Sequence, residues 1–342
     1  MKASRFHEYG GPSVMRYEDA PDPEPGPGDV RIRVRACALN HLDLDLRNAV
    51  SRMTLELPFT PGVEIAGEVD ALGPGVQDVR IGERVTPSFY VPCGACVHCR
   101  GGKENLCQRK QMFGVTRPGG YAERVTAPAR SLIRIPDGIG FDDAAATQVA
   151  FGTAFHMLIG RAQLKRGETV LVQAAGSGVG SAAIQVARLS GARVIATAGS
   201  EEKLQRARSL GADETINYRT TDFLQSVNLI TDGRGVDVVF EHVGGEVFSK
   251  SVKCLALGGR LVTCGAHGGE VTDIDLIEVF RKEAAVLGSY TATIFELKQV
   301  MLLVETGKLK PVIHRAFALA EAAQAQELLA QRGQFGKLIL HP

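Results

Sequence analysis

The sequence predicts a two-part α/β protein, a mainly β half followed by a doubly wound parallel sheet. Three observations carry that expectation. The chain has 342 residues, too many for one ordinary domain and comfortable for two. Over the first ~130 residues, short alternating segments are cut by glycine and proline. From about Phe141 onward, strand-like segments alternate with helical ones, the order that parallel strands with right-handed crossovers require.

The first half is read from its turns. Pro21-Asp22-Pro23-Glu24-Pro25-Gly26-Pro27-Gly28 is a loop, because its prolines can neither donate to a ladder nor continue a helix. In residues 30–37, Ile32, Val34 and Ala36 alternate with Arg31, Arg33 and Arg35, the period of a half-buried strand. Turns at Pro61-Gly62, Gly73-Pro74-Gly75 and Pro118-Gly119-Gly120 keep the same rhythm. In the second half, strands are expected at 169–174, 193–197, 236–241 and 260–264, with helices at 179–190, 201–210 and 248–256. Gly191 and Gly211 stand where a helix end often needs positive φ. A helix at 295–306 closed by Gly307, another at 321–331 and a strand at 337–340 complete the chain; pattern alone assigns them to neither half.

Composition narrows the function classes. Hydrophobic residues make up 44% and charged residues 23%, so the chain can bury a core without disulfides. The net charge of +1 offers no field for nucleic acid or an anionic membrane. No apolar run approaches the ~20 residues of a membrane span. The opening Met1-Lys2-Ala3-Ser4-Arg5 lacks the apolar core of a signal peptide, so a cytoplasmic protein is expected. Of seven cysteines, four crowd between Cys93 and Cys107, which in a reducing compartment favours metal over disulfides.

The four thiols are Cys93, Cys96, Cys99 and Cys107, spaced C-x2-C-x2-C-x7-C. Four thiolates at about 2.3 Å close a tetrahedron around Zn²⁺ and leave no open position, so one structural zinc is expected. An iron–sulfur reading would want the fourth cysteine three residues on and then proline; here it comes after seven, before Gln108. Cys37, Cys254 and Cys264 read as small buried apolar residues.

Val170-Leu171-Val172 leads through Ala174-Ala175 into Gly176-Ser177-Gly178-Val179-Gly180 and then a helix. Glycines there let backbone amides approach a pyrophosphate, and a helix N-terminus adds partial positive charge. The strict glycine pattern fails at its last position, which is Ser181. About 20 residues on, an NAD site offers a carboxylate to the ribose hydroxyls. This strand ends instead in Ala198-Gly199-Ser200, with Lys203 following on the helix. Ser200 and Lys203 could bind a 2′-phosphate, or Ser200 could cap the helix and Lys203 be solvated.

With these motifs in order, the chain resembles the zinc-type alcohol dehydrogenases and quinone oxidoreductases of the medium-chain dehydrogenase/reductase family. The likeness covers essentially the whole sequence. It runs through Gly10-Gly11-Pro12, Pro61-Gly62-x-Glu64-x-x-Gly67, the cysteine lobe, the glycine-rich turn and Phe335-Gly336-Lys337. It implies a GroES-like catalytic domain from residues 1–129 and 291–342, carrying the zinc lobe at about 93–107, around a Rossmann NADP-binding domain at 130–290. It also implies a homodimer or homotetramer acting on a small molecule. NADPH-dependent relatives use a lysine and a tyrosine near the 2′-phosphate, at the positions of Lys203 and Tyr218. Family geometry places Thr153, Val243, Gly265, Ala266 and Ser289 around the nicotinamide.

The departures bear on chemistry. Alcohol dehydrogenases of this family hold a catalytic zinc with Cys, His and a second Cys or acid. Those positions fall on Asn40, Val63 and about Val149; two valines cannot ligate a metal, and an amide is a poor zinc ligand. Cys37 and His41 lie near Asn40, but nothing supplies a third ligand. Without a Lewis acid, hydride addition to an activated C=C becomes easier than carbonyl reduction, since the charge spreads into an enolate that hydrogen-bond donors can hold. The expectation is therefore NADPH-dependent reduction of an enone, enal, enoyl thioester or quinone. In zinc-free relatives an Asn, an Asp and an aromatic line the cleft at the positions of Asn40, Asp43 and Asp45. Asp45 replaces the aromatic, which leaves Tyr90 as a substitute proton donor. The 51–57 loop, Phe89-Tyr90 and residues 291–295 are expected to line the substrate pocket. The alternatives are an alcohol or carbonyl dehydrogenase and, as with recruited lens crystallins, a non-catalytic structural or RNA-binding protein.

Overall fold

A computed structural model describes residues 1–50 and 53–342. The chain divides into two compact units, one of Met1–Val149 with Leu297–Pro342 and one of Ala150–Glu296. These seams differ from the 129/130 and 290/291 boundaries expected above. Residues 132–134 pair with Arg84–Pro87 as a strand, and helix Phe141–Ala145 packs on strands Asp29–Ala38 and Glu64–Leu72, so both stay with the first unit. Among the described residues no helix is long and apolar enough to cross a membrane.

The first unit is built on a seven-stranded sheet. Its order is Ile313–Ala318, Lys337–His341, Asp29–Ala38, Glu64–Leu72, Arg84–Pro87 and Leu132–Arg134, with Arg124–Pro128 also paired to Asp29–Ala38. The alternation in Asp29–Ala38 is real: Val30, Ile32, Val34 and Ala36 are buried while Arg33 and Arg35 face solvent. Their partners in the core include Ile65, Val69, Val85, Val125 and Leu338. Strand Lys337–His341 pairs directly with Asp29–Ala38, Leu340 opposite Cys37. That pairing carries the C-terminal segment into the first unit and places Lys337 beside Leu39 and Asn40.

The second unit is a six-stranded, all-parallel sheet. Its order is Glu214–Asn217, Arg193–Ala198, Thr169–Val172, Val236–Glu241, Leu255–Thr263 and Ala285–Gly288. Numbered along the chain, this is 3-2-1-4-5-6, the Rossmann order, whose switch point lies beside the first strand. The helix expected at 248–256 runs instead over Gly245–Lys253, and Leu255 already belongs to the next strand, opposite Val236. Cys37 and Cys254 are buried as expected, whereas Cys264 is half-buried.

Candidate active site and metal lobe

In the second unit, the residues expected to bind the cofactor gather at one edge of the sheet. Gly176–Gly180 follow the first strand, Ser200 the second, Tyr218 the third, Val243 the fourth, Gly265 and Ala266 the fifth, and Ser289 the sixth. All stand at carboxyl ends of parallel strands, where open α/β sheets bind ligands. Thr153 lies in helix Gln148–Phe155 and is half-buried.

The turn after the first strand is held by short local bonds. Ala174 adopts φ 49°, its N–H donating to Thr197 Oγ1 at 3.1 Å. Ser177 caps helix Gly178–Leu189, its hydroxyl accepting from the Gly180 amide at 2.8 Å. A β-carbon on Gly180 would run into the Ala174 carbonyl, so this close approach needs glycine. Residues 176–179 remain partly exposed, leaving a backbone cradle with room for a pyrophosphate.

Two neighbours of the turn were not singled out from the sequence. His242 places Nε2 3.0 Å from the Gln173 carbonyl and 3.5 Å from Ser177 Oγ. Burial pushes its pKa down to about 4, so it is a neutral imidazole near pH 7. Glu241 is fully buried and accepts from the amides of Val243 at 2.7 Å and Gly244 at 2.9 Å, and from Thr263 Oγ1 at 3.1 Å. It anchors the loop that carries Val243. A motif scan for charged residues at strand ends could have found it.

In the first unit, Asn40, Glu64 and Lys337 form one polar cluster, with Glu64 fully buried. The Lys337 ammonium donates to the Leu39 carbonyl at 2.6 Å and to Asn40 Oδ1 at 2.8 Å, and it pairs with Glu64 Oε2 at 2.5 Å. Those three acceptors use its three protons. Asn40 Nδ2 donates to Glu64 Oε2 at 3.0 Å and to the Ala38 carbonyl at 3.3 Å. Glu64 Oε1 takes the Val149 amide at 2.6 Å. Val63 is buried, and Val149 contributes that backbone N–H. The sequence motifs contained Glu64 and Lys337, but spacing gave no sign that they would meet.

The remaining catalytic candidates divide. Asp43 is fully buried. Its carboxylate accepts from the Asn40 amide at 2.9 Å, the Gly62 amide at 3.3 Å and the Tyr121 hydroxyl at 3.1 Å. Burial outweighs these donors and pushes its pKa up to about 6. It ties the backbone at Asn40 and Gly62 to the Tyr121 hydroxyl. Tyr90 is also fully buried, its ring edge-on to Phe89 with centroids 5.3 Å apart. Asp45 and His41 are half-buried on helix His41–Arg47. Of the expected pocket loop, Ser51 and Arg52 lie outside the described residues, and the Leu55 amide donates to the Tyr9 hydroxyl at 2.9 Å.

The four lobe cysteines converge. Their Sγ atoms all lie within 4.8 Å of one another, the only such metal-competent cluster among the described residues. Sγ of Cys96 and Cys99 are 3.4 Å apart and those of Cys93 and Cys99 3.9 Å. A tetrahedral zinc would set sulfurs about 3.8 Å apart, so the donor set fits zinc in both chemistry and size. Amides of Ala95 and Cys96 lower the Cys93 thiol to about 5, and Arg109 Nη2 lies 3.4 Å from its sulfur.

Comparison with known proteins agrees with this geometry. Residues 26–137 match the alcohol dehydrogenase GroES-like domain and residues 178–306 the zinc-binding dehydrogenase domain. A quinone oxidoreductase of Pseudomonas aeruginosa is 35% identical, over 100% of this chain and 99% of its own. The chain belongs to the medium-chain dehydrogenase/reductase family, quinone oxidoreductase-like. A quinone oxidoreductase of Rattus norvegicus is 31% identical, covering 99% of this chain and 97% of its own. Among solved structures, an NAD-dependent alcohol dehydrogenase is 43% identical with a TM-score of 0.95, both chains covered in full. The alcohol dehydrogenase of Aeropyrum pernix is 30% identical with a TM-score of 0.93, again over the whole of both chains. Family membership makes this chain an oxidoreductase of the kind that binds NAD(P)(H) and acts on small molecules.

Proposed function

We propose that this chain uses NADPH to reduce an activated C=C or a quinone without a catalytic zinc. The observation that carries the reading is the Asn40–Glu64–Lys337 cluster. At the three family ligand positions stand an amide committed to Glu64 and Lys337, and two aliphatic side chains. The nearby positive charge is the Lys337 ammonium, already paired with Glu64. A second zinc does not suit that set, because neither valine offers a donor and Asn40 would have to leave two partners.

The cofactor reading rests on the corner after the second strand of the nucleotide sheet. No carboxylate stands at its tip, Ser200 caps the following helix through the Lys203 amide at 3.4 Å, and Lys203 sits in its first turn. The residues that would hold NADP(H) are Gly176, Ser177, Gly178, Val179 and Gly180 for the pyrophosphate, and Ser200, Lys203 and Tyr218 for the 2′-phosphate. When bound, NADPH supplies the hydride. The chain's own part is to position it and to keep the Asn40 segment fixed through Asp43 and Lys337. Zinc at Cys93, Cys96, Cys99 and Cys107 would have no open position and would hold the lobe together. Quinone oxidoreductase relatives support the acceptor class.

The test is product identity. With NADPH and crotonaldehyde, the expected product is butyraldehyde, from hydride addition to the C=C. Crotyl alcohol would instead establish carbonyl reduction. That second reading, an alcohol or carbonyl dehydrogenase, has its own support in the 43% identity to a solved NAD-dependent alcohol dehydrogenase.

A further inference from the structure

One turn of the second unit holds both ends of a single connection. Helix Gln148–Phe155 continues into a π-helical turn, His156–Arg161. Such turns are rare and concentrate at functional sites. At its far end, Arg161 Nε donates to the Gly288 carbonyl at 2.9 Å. At its near end, His156 Nδ1 lies 2.9 Å and 3.0 Å from the two carboxylate oxygens of Glu296. A ring nitrogen facing a carboxylate carries the proton, so His156 is the donor. Gly288 ends the last strand of the sheet, and Glu296 lies in the first turn of helix Ile294–Glu305. Residues 289–295, which join them, are thus tied at both ends to one turn.

The connection needs such a hold. Thr291, a β-branched residue, sits at φ 54°, a left-handed backbone that persists only where its surroundings impose it. Glu296 also closes a reciprocal helix cap. Its carboxylate accepts from the Thr293 amide at 2.7 Å and hydroxyl at 3.0 Å, and its own amide donates to Thr293 Oγ1 at 3.2 Å. Burial by itself would raise the Glu296 carboxyl, but the His156 and Thr293 bonds bring it below the ordinary value. A β-carbon on Gly160 would stand 2.7 Å from Glu296 Oε1 and 2.9 Å from His156 Nδ1. A methyl group there would push the carboxylate off the ring.

We propose that the π turn is a clamp, with His156 and Arg161 as positioning residues for the connection that carries Ser289 and the 291–295 stretch. The inference rests on the reading above in placing that stretch beside the acceptor; the clamp itself belongs to the second unit alone. Both residues act through the segment and not on the reacting atoms. Held at both ends, the segment keeps one arrangement, and the acceptor stays aligned with the hydride.

Amide hydrogen exchange on the full chain reads the clamp directly. His156→Leu and, separately, Arg161→Ala should speed exchange at the Ser289 and Thr293 amides about tenfold, with residues 176–180 unaffected. His156→Asn, whose amide nitrogen falls near the Nδ1 position, should restore most of the protection, and Gly160→Ala should lose it. The kcat/KM for crotonaldehyde or benzoquinone should fall in step, with NADPH dissociation constants within about twofold. Arg161 is exposed, so its variant decides the matter if His156→Leu does not fold. Unchanged exchange in Arg161→Ala and His156→Leu would overturn the clamp, whatever the reaction proves to be. Faster exchange with kcat/KM intact would overturn its placement beside the acceptor. Crotyl alcohol from the native chain would overturn the function reading instead, and leave exchange to judge the clamp.

Discussion

The nucleotide edge of the second unit and the Asn40–Glu64–Lys337 cluster of the first are built by opposite means. The edge is made of backbone amides and short side chains, each within a few residues of its own strand end. The cluster is made of three side chains from distant places, with Asn40 and Lys337 297 positions apart in the sequence. A backbone cradle tolerates many side chains but not a β-carbon where the chain approaches itself. A buried ion cluster tolerates shape changes but not an unpaired charge. Perturbing the two regions should therefore produce different symptoms, lost affinity in one and lost stability in the other.

The largest effect is expected from Lys337→Met. It leaves the Glu64 carboxylate, 1% exposed, without its cation. Urea unfolding should show a loss of roughly 3–5 kcal/mol. The pair Glu64→Gln with Lys337→Met should recover most of it, because no charge is then stranded. A single variant as stable as the native chain would mean that the ion pair is not part of the folded core.

Next comes the zinc lobe. Cys96→Ser removes one of four converging thiols. Zinc content should fall well below one per chain and unfolding free energy should drop by about 3 kcal/mol, since metal bound only by the folded lobe is folding energy. Nucleotide affinity, which the proposed function assigns to the second unit, should not change. A parallel loss of NADPH binding would erase the distinction between the two regions.

Asp43 sharpens the comparison through pH. Its folded pKa, about 6, lies above the ordinary 3.8. Its protonated form is therefore favoured by folding. The stability it contributes is fully present below pH 4 and is lost as pH rises to about 6. Replacing Asp43 with Asn should flatten that window by about 2–3 kcal/mol, read as unfolding free energy at a series of pH values. An unaltered profile would show that Asp43 titrates normally.

Gly180→Ala should give the smallest change in free energy and the clearest loss of function. The added carbon meets the Ala174 carbonyl, so helix and turn must part. NADPH affinity should fall roughly 30-fold, equivalent to about 2 kcal/mol. Equal affinity would show that the cofactor does not use this turn.

The same contrast explains what could be read from the sequence. Strand Asp29–Ala38 was legible because one face is buried and residue identity alternates with it. The glycine-rich strand-to-helix turn and the converging cysteines were legible because their parts are close along the chain. Lys337 over Glu64 was not, since it depends on the C-terminal strand pairing with Asp29–Ala38 across the sequence. The burial of Tyr90 was not legible either, because an aromatic beside the cysteine lobe carries no mark of whether its ring points inward. The helix expected at 248–256 overran for a similar reason: Leu255 and Ala256 suit a helix, but parallel pairing with the Val236 strand claims Leu255.

The most direct test of the account is metal stoichiometry measured together with turnover. The purified chain should carry one zinc, and NADPH oxidation with crotonaldehyde or a quinone should not depend on any further metal. Two zincs per chain, or activity that disappears with loss of a second, exchangeable zinc and returns when it is restored, would contradict the proposed hydride transfer without a catalytic zinc.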